Sequence, residues 1–318
     1  MKSVGIRSMG AAVPKKILSN QDLEKMVDTS DEWIVTRTGI RERRVLESHE
    51  TINDLLVQAA LTACEKSNIS PGQLDFIINS TLSPDRISPA QAFEIGREIK
   101  AEKIFGFDIN VACSGFVYGL AIAESLLKVR DVSYGLVTAG EQVTRMVDYT
   151  DRANCILFGD GATATVVTND QPDHLIVATE MGSDPTLSNE VVIGGINDLL
   201  NDKSGYYFRQ NGRSVFKFAV NKIKEMFEVV PRKAGIDSAK IRYVVPHQAN
   251  IRIIEAAAKE ITSNGTEFIV NVNKYGNTSS ASIGLALNEA WNRFEKGDLV
   301  LLVGFGAGLS WGATLIEW

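Results

Sequence analysis

Short, nearly continuous apolar runs recur along this chain, alternating with longer stretches whose apolar residues return at helical spacing. The runs LDFIINST, FGFDINVA, SYGLVTAG and TATVVT read as buried strands, and TINDLLVQAALTACEKS reads as an amphipathic helix. GFVYGLAIAESLL is apolar enough all round for a helix packed on several sides. After an irregular middle near residues 183 to 213 the same grammar restarts, with IRYVVPHQ, EFIVNVNKYG and DLVLLVGFG as strands and IRIIEAAAKE as a helix. Alternation of this kind predicts an α/β fold with largely parallel strands.

The second half echoes the first. VNVNKYGNTSSASIGLALNEAW can be laid on FDINVACSGFVYGLAIAESLL, which puts Gly119 over Gly284 and Leu120 over Leu285, each pair 165 residues apart. The endings GDGATATVV and SWGATLIEW match at a slightly shorter spacing. An internal duplication follows, with halves expected at 1–170 and 171–318. Ligands in such sheets bind outside the carboxyl ends of strands. Three loops of that kind stand out, at Cys113, at His247 and at Asn277.

Composition narrows the class. The 318 residues are 44% hydrophobic and 23% charged, ordinary for a globular chain large enough for about two domains. A net charge of -6 disfavours non-specific nucleic-acid binding, which needs a basic footprint. No uninterrupted apolar run has the length of a membrane span, and MKSVGIRSMGAAVPKK lacks the apolar core of a signal peptide, so a cytoplasmic protein with no membrane span is expected. Three cysteines without metal-like spacing fit a reducing compartment and imply no metal site.

Cys113 sits where a strand gives way to a helix. A helix N-terminus there favours the thiolate, which would make a nucleophile, although a free cysteine also serves as a small core hydrophobe. Cys64 and Cys155 read as core residues of that kind. His247 follows a strand in VVPHQANIRII and can be structural or catalytic, whereas His49 and His174 lie in surface-like segments. Asn277 in YGNTSSAS suits a turn equally well. Taken together, a thiol, an imidazole and an amide suit thioester chemistry: the thiolate attacks an acyl group, and the imidazole Nε2 and amide N–H donate to a developing oxyanion. The same trio also fits papain-like proteolysis, but that fold lacks the duplication and its local signatures are absent. The terminal GFGAG is no dinucleotide fingerprint, because Leu309 stands where glycine is needed and only nine residues follow.

MVDTSDEWIVTRTGIRERR, CSGF, YTDRANCILFGDGA, VPHQANIRII, YGNTSSAS and GFGAGLSWGA together resemble, in order and over nearly the whole chain, the motif set of β-ketoacyl-acyl-carrier-protein synthase III, in the thiolase superfamily. The resemblance implies a five-layered αβαβα thiolase-like fold, a homodimer, and a cofactor-free condensation of a short acyl-CoA with malonyl-acyl carrier protein that initiates fatty-acid synthesis. By position, it makes Cys113 the acylated nucleophile and His247 with Asn277 the pair serving decarboxylation. Backbone N–H groups of Cys113 and Ala307 would form the oxyanion hole, Ala307 standing where relatives commonly carry glycine.

For CoA, Trp33, Arg37, Thr38 and Arg152 match the nucleotide contacts, while Gly212, Phe216, Ala249 and Asn250 match the pantetheine tunnel. Trp33 and Phe216 read equally as core residues. Arg252, Lys217 and Lys259 match the basic surface that docks the acidic carrier protein. Arg252 and Lys259, like Lys217 and Lys224, are seven residues apart and so share a helix face. Ile87 matches the gate of the acyl pocket, where relatives often carry phenylalanine, and its smaller side chain predicts tolerance of acyl groups longer than acetyl. Two alternatives remain: a specialised synthase of secondary metabolism or longer-chain condensation, and a non-catalytic condensing-enzyme-like subunit. The intact Cys113, His247 and Asn277 argue against the latter.

Overall fold

The computed structural model describes residues 2–201, 203–261 and 265–318. Ten strands form one ladder: β1 (Gly5–Ala12), β2 (Phe76–Ser80), β3 (Phe105–Ile109), β4 (Tyr134–Glu141), β5 (Gly161–Thr168), β6 (His174–Ser183), β7 (Ile241–Pro246), β8 (Glu267–Phe268), β9 (Leu299–Gly306) and β10 (Ser310–Glu317). Their order is β8-β7-β9-β10-β6-β1-β5-β4-β2-β3, which reads the same from either end once β1 is matched with β6, β2 with β7, β3 with β8, β4 with β9 and β5 with β10. In each half the three strands at the outer edge are parallel and the inner ones antiparallel. The halves meet where β1 pairs β6 at two positions only, Gly5 with Leu175 and Ile6 with His174.

Seven helices matter for the site: α1 (Asp31–Thr38), α2 (Ile52–Ser67), α3 (Gln91–Glu98), α4 (Gly115–Val129), α5 (Gly212–Lys233), α6 (Ile251–Ile261) and α7 (Ala281–Ala290). Period-two alternation along the strands sorts their side chains into different cores. On β2, Phe76 and Ile78 face the central core with α4 and α7, while Ile77 faces α2 and α3. On β9, Val300 and Leu302 face the same central core, while Leu299, Leu301 and Val303 face α5 and α6. Three helical layers and two sheet layers result, the thiolase-like α/β arrangement. Strands buried on both faces explain why they are apolar runs rather than alternating ones.

Three readings need correction. The strands are not largely parallel: among the described residues five of the nine pairings in the sheet are antiparallel, because the inner strands of each half run against their neighbours. The stretch Ala112–Val129, with a mean hydropathy of 1.3 over 18 residues, does have the length and composition of a membrane span. Most of it is buried in the central layer between the sheet halves, which is why it is apolar all round. EFIVNVNKYG is not a full strand: pairing stops at Phe268 and Val272–Tyr275 is helical. The chain turns there because the Gln248 side-chain oxygen accepts from the N–H groups of Asn271 and Val272, at 2.9 and 3.3 Å.

Candidate active site

Cys113 lies in a single helical turn, Ala112–Ser114, between the end of β3 and the start of α4. Ala112 takes φ +44°, a left-handed conformation unusual for alanine, and so turns the thiol into the cavity. The ends of two strands close in on this turn. A side chain on Gly115 would collide with Ser80 Oγ, and a Cβ on Gly306 would lie 2.8 Å from the Cys113 nitrogen. Glycine at 115 makes room for the Ser80 side chain, and glycine at 306 lets backbone meet backbone.

His247 is buried and follows β7 directly. Its Nδ1 lies 2.6 Å from Ser282 Oγ, which also accepts from the Gln248 N–H at 3.3 Å. A Ser282 hydroxyl that donates to Nδ1 leaves the ring proton on Nε2, the tautomer in which Nε2 is a donor. Burial lowers the imidazole to about 3, so the ring is neutral at pH 7. Asn277 is set just before α7, where its Oδ1 accepts the Ser279 N–H at 2.8 Å. That bond identifies the oxygen end of the amide and leaves Nδ2 as its donor. Cys113, His247, Asn277 and Ala307 line one cavity, which is walled by Phe158, Phe208 and Phe305. Ala307 is not in the left-handed region; the residue that is, Gly308 at φ +127°, follows it.

Electrostatics overturn one expectation. The helix N-terminus was expected to favour the Cys113 thiolate, but burial pushes the thiol up to about 12, and the charge of Glu141 adds to the effect. A hydrogen bond to Ser279 Oγ, at 3.5 Å, opposes this without reversing it. Desolvating a thiolate outweighs a dipole and one weak hydrogen bond. Glu141, the last residue of β4, is fully buried and accepts from Ser83 Oγ at 2.7 Å, Leu82 N at 3.1 Å, Ser280 Oγ at 2.7 Å and Ser279 Oγ at 3.2 Å. Burial raises its carboxyl despite those donors.

A second cavity, of about 720 Å³, adjoins the first, sharing Cys113, Phe158, Phe208 and Ala307 with it, and is lined by apolar Leu82, Val143 and Met146 and by polar Ser183, Ser188 and Asn189 among others. Toward the surface, the guanidinium groups of Arg37 and Arg152 lie 4.6 and 5.0 Å from the half-buried Trp33 ring. Thr38 is buried, its hydroxyl donating to Ile34 O at 2.7 Å and accepting from Ile40 N at 3.0 Å, so its polar capacity is used within the chain. Gly212 begins α5 in the open, Phe216 is 39% exposed rather than core, and Ala249 lines the cavity. Asn250 donates to Arg37 O at 3.1 Å and accepts from the Arg252 N–H at 2.8 Å, tying α6 to α1.

Lys217 on α5 and Arg252 and Lys259 on α6 are all exposed, and the two helices are cross-linked by an ion pair between Lys224 and Glu260. Ile87 is 85% exposed and does not reach its own chain's cavities. Cys64 and Cys155 are buried, each thiol pushed up to about 11. His49 is exposed, but His174 is half-buried: it stacks 3.8 Å from the Trp318 ring and meets Trp291 edge-on, because Glu317 of β10 pairs with Leu175 and so brings Trp318 alongside His174.

Glu141, Ser279, Ser282 and Gln248 were not singled out in the sequence. The one available signal was a glutamate closing the apolar run of β4 at its carboxyl end, where ligand sites form.

Two family models match, described as 3-oxoacyl-[acyl-carrier-protein (ACP)] synthase III over residues 107–185 and as the C-terminal part of the same synthase over residues 232–318. Beta-ketoacyl-[acyl-carrier-protein] synthase III of Aquifex aeolicus is 43% identical over 311 residues, covering 97% of each chain. The enzyme of the same name from Clostridium tetani is 42% identical over 100% of this chain and 99% of its own. The crystal structure of the Aquifex aeolicus synthase superposes with a TM-score of 0.92 over 99% of this chain and 100% of that one.

Proposed function

Because this chain belongs to the β-ketoacyl-[acyl-carrier-protein] synthase III family, we propose a division of labour in which Cys113 carries the acyl group and His247 with Asn277 serve the decarboxylation. The protein is an acyltransferase that catalyses the initiating condensation of fatty-acid synthesis, from acyl-CoA and malonyl-acyl carrier protein. In the first step the Cys113 sulfur attacks the acyl thioester, with the Cys113 and Ala307 N–H groups receiving the oxyanion, and CoA leaves. In the second, malonyl-acyl carrier protein loses carbon dioxide, and its carbanion attacks the acyl-enzyme to give 3-oxoacyl-acyl carrier protein and the free thiol.

Decarboxylation puts negative charge on the malonyl thioester oxygen. Neutral donors at His247 Nε2 and Asn277 Nδ2 address that charge, and losing one such donor typically costs about 3–4 kcal/mol. The observation that carries this assignment is the convergence on one cavity of a thiol, an imidazole whose Nδ1 is engaged by Ser282, and an amide whose Nδ2 end is set by the Ser279 N–H. No cofactor or metal is required, since carbon dioxide release supplies the carbanion.

The entrance follows the same reading. Trp33 with Arg37 and Arg152 offers a cation–π surface for a purine, and Arg252, Lys217 and Lys259 offer the carrier a local basic surface on an acidic enzyme. A cytoplasmic homodimer is part of the proposal, as is the division into halves at 1–170 and 171–318. Dimerisation would cover the free edge of β3, whose five residues are all only half-buried, and would bring Ile87 to the partner subunit's acyl pocket. The volume of about 720 Å³ next to Cys113 supports primers longer than acetyl.

Mass spectrometry after competing acetyl-, isobutyryl- and octanoyl-CoA tests both levels. Acyl mass on Cys113 from more than one primer is expected. A strict acetyl adduct overturns the primer proposal, and no adduct at all favours the inert subunit.

A further inference from the structure

The hydrogen bonds around Cys113 run in one direction. Its thiol donates to Ser279 Oγ at 3.5 Å, and the Ser279 hydroxyl donates onward to Glu141 Oε1 at 3.2 Å. We propose that Ser279 and Glu141 form a proton relay that receives the Cys113 proton as the sulfur attacks the acyl thioester. This deepens the functional reading above and rests on it. Ser279 touches the reacting sulfur; Glu141 acts through Ser279 as a positioning and proton-holding residue.

His247 does not fill this role. Its Nδ1 is engaged by Ser282 Oγ at 2.6 Å, and the decarboxylation role proposed above keeps the ring proton on Nε2. Glu141 is an acceptor without a cation. From the elements packed on it, the carboxylate meets Thr81, Leu82 and Ser83 after β2, Ser279 and Ser280 before α7, and Cys113 before α4, which is the titratable member of that set. Asp85 and Arg145 are held by the Gln142 side chain, next to Glu141 in the sequence, at 3.0 and 2.6 Å. A buried carboxylate whose affinity for protons is raised by desolvation is suited to taking one up.

The step balances. The bond from acyl carbon to CoA sulfur breaks and the bond to Cys113 Sγ forms. The thiol proton passes to Ser279 while the Ser279 proton passes to Glu141; as the CoA thiolate departs, Ser279 passes a proton to the CoA sulfur and Glu141 returns its proton to Ser279. Net transfer is one acyl group for one proton.

The test is alkylation of Cys113 by iodoacetamide, followed by peptide mass spectrometry, between pH 8 and 10 on the full chain. It needs no acyl-CoA. With the relay, the wild-type rate changes less than about threefold over that range, because proton acceptance does not wait for the free thiolate. In Ser279→Ala and Glu141→Gln the rate rises about tenfold per pH unit, following ionisation of the free thiol. Ser280→Ala, which removes a Glu141 donor but leaves the relay whole, keeps the wild-type slope. Should Glu141→Gln fail to fold, Ser279→Ala decides. Wild-type slopes in Ser279→Ala and Glu141→Gln overturn the relay, as does a steepened slope in Ser280→Ala. Absence of an acyl adduct from acetyl-CoA would instead defeat the functional reading, and the alkylation slopes would still report on the relay.

Discussion

The two halves of the molecule have matching strands and matching helices, yet they place opposite chemistry at equivalent positions. Glu141 ends β4 and Gly306 ends β9, 165 residues apart. Each serves the start of the central helix belonging to the other half. Glu141 reaches Ser279 and Ser280 before α7, and Gly306 lies against Cys113 before α4. One strand end brings a buried carboxylate, and the other clears space for a backbone amide. A duplicated fold becomes an asymmetric site through a few side chains at strand ends, without any change in architecture.

This contrast can be broken from either side. The largest effects are expected on the second half's contribution: His247→Ala and Asn277→Ala should each slow malonyl decarboxylation about 10²- to 10³-fold while Cys113 acylation changes only about threefold. Single-turnover assays of each half-reaction check this, and equal losses in both would refute the division of roles. Gly306→Ala should do the reverse, slowing acylation about 10- to 100-fold by displacing the Cys113 peptide. Acylation left at the wild-type rate would show that the close approach is dispensable.

A smaller effect concerns stability. His247 binds protons less readily folded, at about 3, than unfolded, at 6.5. Between those values the unfolded chain takes up a proton that the folded chain refuses, so its contribution to stability is full above 6.5 and declines as pH falls. The drop in urea midpoint from pH 7 to pH 5 should therefore be shallower in His247→Asn than in wild type; parallel curves would argue against it. The smallest effect is expected at the surface, where Arg252→Glu should weaken turnover with malonyl-acyl carrier protein several-fold and leave CoA-dependent acylation unchanged. Equal losses in both reactions would sink the docking role.

The site was legible to the extent that its residues sit at strand ends. Cys113, His247 and Asn277 each follow a β-rich run in the sequence, and the repeat relating the Cys113 and Asn277 loops could be read from Gly119 and Gly284 alone. Glu141 was not legible, because a glutamate after an apolar strand reads as solvent-facing until Ser83 and Ser280 are brought to it from 58 and 139 residues away. Nor was the fate of Thr38, whose hydroxyl looks available in the sequence and is engaged at the end of α1.

By itself the sequence determined the alternation of strands and helices, the duplication, and which residues carry a thiol, an imidazole and an amide. These follow from local periodicity and residue type, which need no knowledge of distant partners. Tertiary structure alone decided the state of those groups. It raised the Cys113 thiol instead of lowering it, made His247 neutral, oriented the Asn277 amide, and put Glu141 behind Ser279. Proton affinity depends on desolvation and on groups far apart in the chain, and both exist only once the halves have folded together.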